Sequence, residues 1–248
     1  MDFTDQAAIV TGGTGSIGRE VVLGLARGGA KVLFCYLAND EAARALASAC
    51  DGLPGEVVGL RADVRDQDAM NGLVAEALRR WGRLDILVTA ASAISNAPID
   101  TMTLEQWNAV LDTVLRGVTR IARAALRPMQ KARYGRIVTV TGYQALAGAL
   151  TQANYAAAMG GVLGFGRALA REAAAWGVTV NSVAPGLLDR PQLAAFDQRY
   201  IPWATNIVPL KRLGQPAEVA PAVLLLASRD SSYMSGETII VDGGWRMV

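Results

Sequence analysis

The sequence of 248 residues has no histidine and only two cysteines, Cys35 and Cys50. Without histidine, Ser-His-Asp catalysis, Cys-His catalysis and histidine-ligated metal sites are excluded. Two cysteines are too few for a disulfide framework or a thiolate zinc site, and we interpret both as buried thiols. The sequence therefore predicts no metal site.

An excess of charge of either sign is also missing, since 24 basic side chains stand against 22 acidic ones. This balance gives no single-sign field of the kind that attracts nucleic acid. With 52% hydrophobic and 19% charged residues, the chain is too apolar for a disordered protein, and its length is ample for one buried core. We expect a globular protein without a nucleic-acid partner.

No segment is typical of a signal peptide or a membrane span. Residues 1–6 are polar and acidic, without the basic and apolar regions of a signal peptide. Residues 137–166 carry no charge but are interrupted by glycines at positions 142, 148, 160, 161 and 164 and by several amide side chains, whereas a helical span needs about 20 apolar residues. We expect no membrane partner and a cytoplasmic location.

Short apolar segments alternate with longer amphipathic ones along the whole chain. The apolar segments predict strands at 7–11, 31–36, 56–61, 84–89, 136–141, 179–184 and 238–241. The amphipathic segments predict helices at 16–27, 41–49, 66–80, 104–131, 152–176 and 216–227. This alternation predicts one α/β domain over residues 1–248, a doubly wound parallel sheet with helices on both faces. Residues 186–214 form the long irregular segment, which we interpret as a lid or substrate loop.

A glycine-rich segment follows the first predicted strand and leads into a helix. Glycines at positions 12, 15 and 18 allow the backbone to approach a pyrophosphate, and the helix N-terminus offers unpaired N–H groups. Such a triplet also occurs for packing alone, but its place after the first strand strengthens the functional interpretation. The candidate phosphate-binding residues are Thr11, Gly12, Gly15, Ile17 and Gly18.

The candidate adenosine end of this site gives no clear cofactor preference. An acidic residue at the end of the second strand favours NAD and a basic one favours NADP, but the sequence has Tyr36 there, followed by Leu37. Asp63, followed by Val64, comes after the third strand. Two interpretations of Asp63 stay open, contact with the adenine amino group or capping of the next helix.

Seven segments in order resemble the short-chain dehydrogenase/reductase family, and within it the β-ketoacyl carrier-protein reductases. They are TGGTGSIG at 11–18, LDILV at 84–88, GRIV at 135–138, QANYAAA at 152–158, ARE at 170–172, VNSVAPG at 180–186 and VDGG at 241–244. The resemblance implies a Rossmann-type domain with a seven-stranded parallel sheet and a nicotinamide cofactor, NAD or NADP. It also implies a homotetramer whose subunits meet through the two longest helices.

The same resemblance assigns a catalytic centre from which this sequence departs. It implies Tyr155 as the proton donor, a lysine four residues later, a serine thirteen residues earlier and an asparagine in the preceding long helix. The sequence has Met159, Gly142 and Val114 at these three positions. A tyrosine has a pKa of about 10 and needs a nearby cation to lower it, so we expect Tyr155 to stay a neutral phenol. Losing positioned acid–base assistance costs about 10²–10⁴-fold, and we expect ordinary carbonyl reduction to be severely impaired.

The cofactor shell departs from the pattern as well. Ala90 lies in the segment Thr-Ala-Ala-Ser where the family has Asn-Asn-Ala-Gly, Ser16 replaces a glycine, and Arg190 replaces a threonine that would hold the nicotinamide carboxamide. Pro185 and Gly186 keep the family pattern. The resemblance thus implies NAD or NADP, and the substitutions argue against it.

Two further features concern side chains that could replace the missing serine and a surface that could bind a partner protein. Thr141 and Tyr143 flank Gly142, and if the strand continues there, both point away from the position of the missing serine.

Four arginines at 116, 120, 123 and 127 lie on one helical stripe. This stripe either docks an acidic partner, such as an acyl carrier protein, or is an ordinary solvated or subunit-facing surface.

Three functions fit these observations. In the first, the chain is the non-reducing subunit of a heterotetramer with an active homologue. In the second, it is a non-redox enzyme of ketide metabolism that uses Tyr155 for cyclisation, dehydration or isomerisation. The third, an NADPH-dependent 3-ketoacyl (carrier protein) reductase with another arrangement, ranks behind these two because its main support is analogy of fold.

Overall fold

The structure is a computed structural model that describes residues 1–189, 191, 193 and 200–247, without the side chains of residues 200 and 204. Its strands are β1 Ala7–Thr11, β2 Lys31–Tyr36, β3 Val57–Arg61, β4 Ile86–Thr89, β5 Gly135–Val140, β6 Val178–Pro185 and β7 Thr238–Val241. They form one parallel sheet in the order β3-β2-β1-β4-β5-β6-β7. The order reverses between β1 and β4, and such a switch point opens a crevice at the carboxyl ends of the strands.

Helices cover both faces of this sheet. They are α1 Ser16–Arg27, α2 Asp40–Ala49, α3 Gln67–Trp81, α4 Leu104–Leu111, α5 Gly117–Ala132, α6 Gln144–Ala147, α7 Ala153–Ala173, α8 Tyr200–Ile207 and α9 Pro216–Ala227. The predicted doubly wound α/β fold is thereby confirmed.

The continuous apolar character of the strands follows from burial on both faces. Along β1, Ala8 and Val10 pack into a cluster with α1 and α9, whereas Ile9 packs into a second cluster with α3, α5 and α7. Successive side chains of a strand point to opposite faces, so every position of β1 needs an apolar residue. Cys35 and Cys50 are both buried free thiols, as the sequence predicts.

The predicted helix over residues 104–131 is interrupted. A π-helical turn, Asp112–Arg116, lies between α4 and α5. Val110, Val114 and Val118 are spaced four residues apart and all belong to one apolar cluster against α7. Residues spaced by four lie on one face of a helix, so all three valines can pack against α7 across the π-helical turn.

The prediction that residues 186–214 are irregular is wrong over α8, Tyr200–Ile207. Pro202 falls in the first turn of this helix, where its missing N–H removes no helical hydrogen bond. A bridge between Leu188 and Gly214 joins the two ends of the excursion. Its role as a lid stays a prediction, and Arg190 lies outside the described residues.

Within the described part of the chain, every helix is too short or too polar to cross a bilayer.

Candidate active site

A cleft of about 460 Å³ opens at the carboxyl ends of the strands, where the sheet order reverses. The loops after β1, β2, β3, β4, β5 and β6 line it, together with α7. Most candidate site residues line this cleft, namely Gly12, Gly15, Ile17, Gly18, Tyr36, Asp63, Val64, Ala90, Gly142, Tyr155, Met159, Pro185 and Gly186. Thr11 and Val114 are buried beside it. The fold thus brings the predicted phosphate, adenosine and catalytic residues together, while their roles stay predictions.

The glycine loop is packed too tightly for side chains. Gly12 has φ +67°, and a β-carbon there would lie 2.6 Å from the backbone nitrogen of Ala91. A β-carbon on Gly18 would lie under 3.0 Å from the carbonyl oxygen of Gly12. These two glycines are therefore needed for packing whether or not a ligand binds.

The start of α1 has the features of an anion site. Its N-cap residue, Gly15, gives no side-chain hydrogen bond to the first turn, and that turn holds no acidic residue. The N–H groups of a first turn have no partner within the helix, and they carry a partial positive charge. The residues at this end of the cleft fit the pyrophosphate of a dinucleotide.

Asp63 is not the cap of the following helix, and that interpretation is wrong. Asp66 is the N-cap of α3, where its carboxylate accepts from the backbone of Asp68 and Ala69. Asp63 instead pairs with Arg65, whose Nη2 lies 2.6 Å from its Oδ2. The hydrogen bond from Arg65 lowers the pKa of Asp63. The contact of Asp63 with adenine stays a prediction. In this structure the Asp63 carboxylate already has a cationic partner, Arg65.

Tyr36 also has a partner at this end of the cleft. Its pKa is raised, chiefly by a hydrogen bond with Asp40. A phenol that donates to a carboxylate is stabilised in its protonated form.

At the other end of the cleft, Tyr155 lies in the first turn of α7 and is only 4% exposed. Asn154 fixes this turn, because its Oδ1 accepts from the N–H of Tyr155 and its Nδ2 donates to Ser95 O and Gln106 O. The Oγ of Ser92 donates to the Tyr155 hydroxyl at 3.3 Å, a long and therefore weak bond. Ser92 is a neighbour that the sequence did not predict.

The positions of the implied lysine and asparagine belong to an apolar cluster. Met159 is 2% exposed and Val114 is 1% exposed, and both pack in the cluster that contains Tyr155. Met159 lines the cleft beside the tyrosine. Of the described residues that line the cleft, the one basic side chain is Arg65 at the adenosine end, and it is paired with Asp63.

A glutamine lies against the backbone of Gly142. A β-carbon on Gly142 would lie under 3.0 Å from Oε1 of Gln144 and 3.9 Å from Cε1 of Tyr155. Gln144 is the first residue of α6, a four-residue helix that the sequence did not predict. The sequence signal that could have identified Gln144 as a site residue is its position, two residues after Gly142.

The expectation for Thr141 and Tyr143 depended on a strand that does not continue, since β5 ends at Val140. The hydroxyl of Thr141 donates to Val183 O at 3.1 Å. Tyr143 lines the cleft, and its ring packs on that of Trp245 with centroids 4.2 Å apart.

Among the described residues, no three His, Cys, Asp or Glu side chains are grouped so as to hold a metal ion.

The sheet order, the glycine loop at the switch point and the tyrosine at the start of α7 are typical of the Rossmann-type α/β domain of dehydrogenases. The family model described as enoyl-(acyl carrier protein) reductase matches residues 12–246. The chain belongs to the short-chain dehydrogenase/reductase family.

The similar proteins agree with this assignment over the full length of the chain. The 3-oxoacyl-[acyl-carrier-protein] reductase FabG of Escherichia coli K12 is 37% identical over 248 residues, which is 100% of both chains. The 3-oxoacyl-[acyl-carrier-protein] reductase MabA of Mycobacterium tuberculosis H37Rv is 37% identical over 99% of this chain and 94% of its own. A crystal structure described as a short-chain alcohol dehydrogenase from Sinorhizobium meliloti 1021 superposes with a TM-score of 0.94 at 30% identity, covering 99% of this chain and 98% of the other.

Proposed function

We propose that this chain binds an acyl thioester or related ketide in its cleft without reducing it, and that it acts as the non-reducing subunit beside an active homologue. The observation that carries the proposal is Met159, a buried thioether beside Tyr155 at the position where the resemblance implies a lysine. The proposal includes a cytoplasmic location and a heterotetramer.

The chemistry of the site supports the non-reducing part. A nearby lysine speeds proton transfer from a phenol by lowering its pKa, and Met159, at the position where the resemblance implies that lysine, carries no charge. Gly142 removes a hydroxyl that would orient a carbonyl, a contact worth about 10²–10³-fold in similar sites. These effects are not additive, but each acts against carbonyl reduction.

The intact scaffold supports the subunit part. The seven-stranded sheet, α5 and α7 are all present, and these are the helices through which the resemblance implies contact between subunits. Two of the four arginines in the stripe are engaged locally, because Arg116 and Arg120 both pair with Asp112. Arg123 and Arg127 are exposed and stay available for an acidic carrier protein or a neighbouring subunit.

The proposal is tested by assaying the purified protein with NADPH and an acetoacetyl thioester of N-acetylcysteamine. We expect no ketone-dependent loss of reduced nicotinamide, with the 37% identical FabG of Escherichia coli as the positive control in the same assay. Co-expression with a family member of the same organism that has Ser, Tyr and Lys should give a mixed tetramer by native mass spectrometry. Brisk oxidation of NADPH by the lone protein would overturn the proposal in favour of an NADPH-dependent 3-ketoacyl reductase.

A second function, a non-redox ketide-modifying enzyme, is favoured by the polar groups beside Tyr155. Ser92 donates to its hydroxyl at 3.3 Å, and the Gln144 carboxamide oxygen lies at the position of a β-carbon on Gly142, on the side that faces Tyr155. A phenol can donate a hydrogen bond to an oxygen on which negative charge develops, without any transfer of hydride. Turnover of a ketide by the protein alone, lost in Tyr155→Phe and kept in the fully exposed control Tyr233→Phe, would establish this function.

A further inference from the structure

The space beside Tyr155 that lacks a serine is not empty. The carboxamide oxygen of Gln144 lies where a β-carbon on Gly142 would be, and that position is 3.9 Å from Cε1 of the Tyr155 ring. Gln144 also lines the cleft. A polar group from a different residue therefore occupies the place of the missing side chain.

The orientation of this carboxamide is set by two other amides. Nε2 of Gln144 donates to Oε1 of Gln152 at 3.2 Å, and Nε2 of Gln152 donates to Oδ1 of Asn96 at 3.1 Å. Gln152 is buried, so this relay is anchored in the protein and not in solvent. With its nitrogen bound to Gln152, Gln144 presents its oxygen, a group that only accepts hydrogen bonds.

A carboxamide oxygen and a serine hydroxyl select different ligands. A hydroxyl donates to a ketone oxygen, whereas a carboxamide oxygen meets a ketone oxygen as two acceptors with no proton between them. A ligand hydroxyl supplies that proton to Gln144 and can also bond to the phenol of Tyr155. Leaving an acceptor unpaired on binding costs more than a net hydrogen bond contributes.

We infer that Gln144 contacts the substrate, and that it makes this cleft selective for a hydroxyl-bearing acyl thioester of the 3-hydroxyacyl class over the corresponding ketone. The inference rests on the proposed function, in which the cleft receives an acyl thioester. It adds which oxidation level of that ligand the site prefers and which residue decides the preference.

The test is calorimetric titration of the protein with the 3-hydroxybutyryl and the acetoacetyl thioesters of N-acetylcysteamine. One hydrogen bond of ordinary strength corresponds to about fivefold in affinity, and we expect the hydroxy probe to bind tighter by about that factor or more. Gln144→Met, which keeps the length and removes the acceptor, should bring the two affinities within about twofold of each other. Gln130→Met, at a glutamine of α5 outside the cleft lining, is the matched control and should keep the preference.

The outcomes separate this inference from the proposed function. Equal binding of both probes, or an equal loss for both in Gln144→Met, would overturn the inference and leave the proposed function in place. Oxidation of NADPH with the acetoacetyl probe would overturn the proposed function, while a hydroxy preference that depends on Gln144 would still support the inference. Failure of both probes to bind would overturn the ligand class and the inference with it.

A stability measurement checks the placement of Gln144 without any ligand. Gly142→Ser should lower the melting temperature only slightly, because its β-carbon would displace Oε1 at the flexible end of Gln144 and weaken the hydrogen bond from Gln144 to Gln152. In Gly142→Ser combined with Gln144→Ala, the overlap is gone and the loss due to the serine should disappear. Additive losses in the combined variant would show that Gln144 does not occupy this space.

Discussion

The two ends of the cleft place different demands on the sequence. At the phosphate end, Gly12 and Gly18 are held by backbone contacts that leave no room for a β-carbon. At the tyrosine end, Val114 and Met159 lie in an apolar cluster that needs volume and no particular chemistry. Packing therefore preserves the glycine loop even without a cofactor, whereas catalytic side chains can be replaced as long as the cluster stays filled. A retained loop is weaker support for redox chemistry than a retained lysine would be.

The largest expected effect is at the phosphate end. Gly18→Ala should lower the free energy of unfolding by about 2–3 kcal/mol, because the new β-carbon meets the Gly12 carbonyl oxygen, which is rigid backbone. The measurement is urea denaturation. Gly72→Ala, in α3 with open space around it, is the control and should stabilise the protein by roughly 0.5–1 kcal/mol. If both variants were equally stable, the tight packing of the loop would be refuted.

The second prediction concerns Cys35, a buried residue of β2 whose backbone carbonyl oxygen accepts from the N–H of Gly13 in the glycine loop at 3.0 Å. Burial raises the pKa of its thiol from 9.0 to about 11, so at neutral pH its thiolate population should be about a hundredfold lower than for a free thiol. In Cys50→Ser, alkylation by iodoacetamide should be slow until the protein unfolds. As pH rises, the thiol ionises at a lower pH in the unfolded chain than in the folded protein. The raised pKa should therefore contribute to the free energy of unfolding below about pH 9, and this contribution should be lost by about pH 11. Fast alkylation of the native protein would indicate a loosely packed loop.

The third and smallest effect is at the tyrosine end. Val114→Asn puts back the residue type that the resemblance implies, and it should cost about 2 kcal/mol because the amide enters an apolar cluster. Leu104→Asn, at a 74% exposed position of α4, is the control and should change stability by less than about 0.5 kcal/mol. Both values come from thermal denaturation. A cost at Val114 no greater than at Leu104 would mean that water reaches this cluster, and the contrast between the two ends would weaken.

Most of the fold could be predicted from the sequence because the relevant signals are local. The apolar segments matched strands to within two residues at each end, and β1, β2 and β7 matched fully. The short helices were missed for a physical reason. A four-residue helix such as α6 has no apolar periodicity and depends on its tertiary surroundings, and α8 lies in a segment whose prolines suggested irregular structure.

The sequence predicted which residues form most of the candidate site, but it predicted few of the contacts between them. The sequence identified Tyr155 and the substitutions at positions 114, 142 and 159, since these follow from the order of motifs along the chain. It did not identify Ser92, which bonds to Tyr155 from the segment after β4, or Gln144, which lies against Gly142 from α6. It also left open whether Asp63 contacts adenine or caps the next helix, because an acid after a strand can do either. The structure assigns the cap to Asp66.

The sequence by itself determined the sheet, the glycine loop and the methionine at position 159, because hydrophobic periodicity, backbone freedom and residue identity are properties of the chain. Only the tertiary structure decided which side chains lie beside Tyr155 and Gly142. The contacts of Gln144 and Ser92 with the surroundings of Tyr155 depend on where β4 and β5 end and how the following loops turn. Those loop paths are fixed by packing against the rest of the domain, and no local pattern in the sequence encodes them.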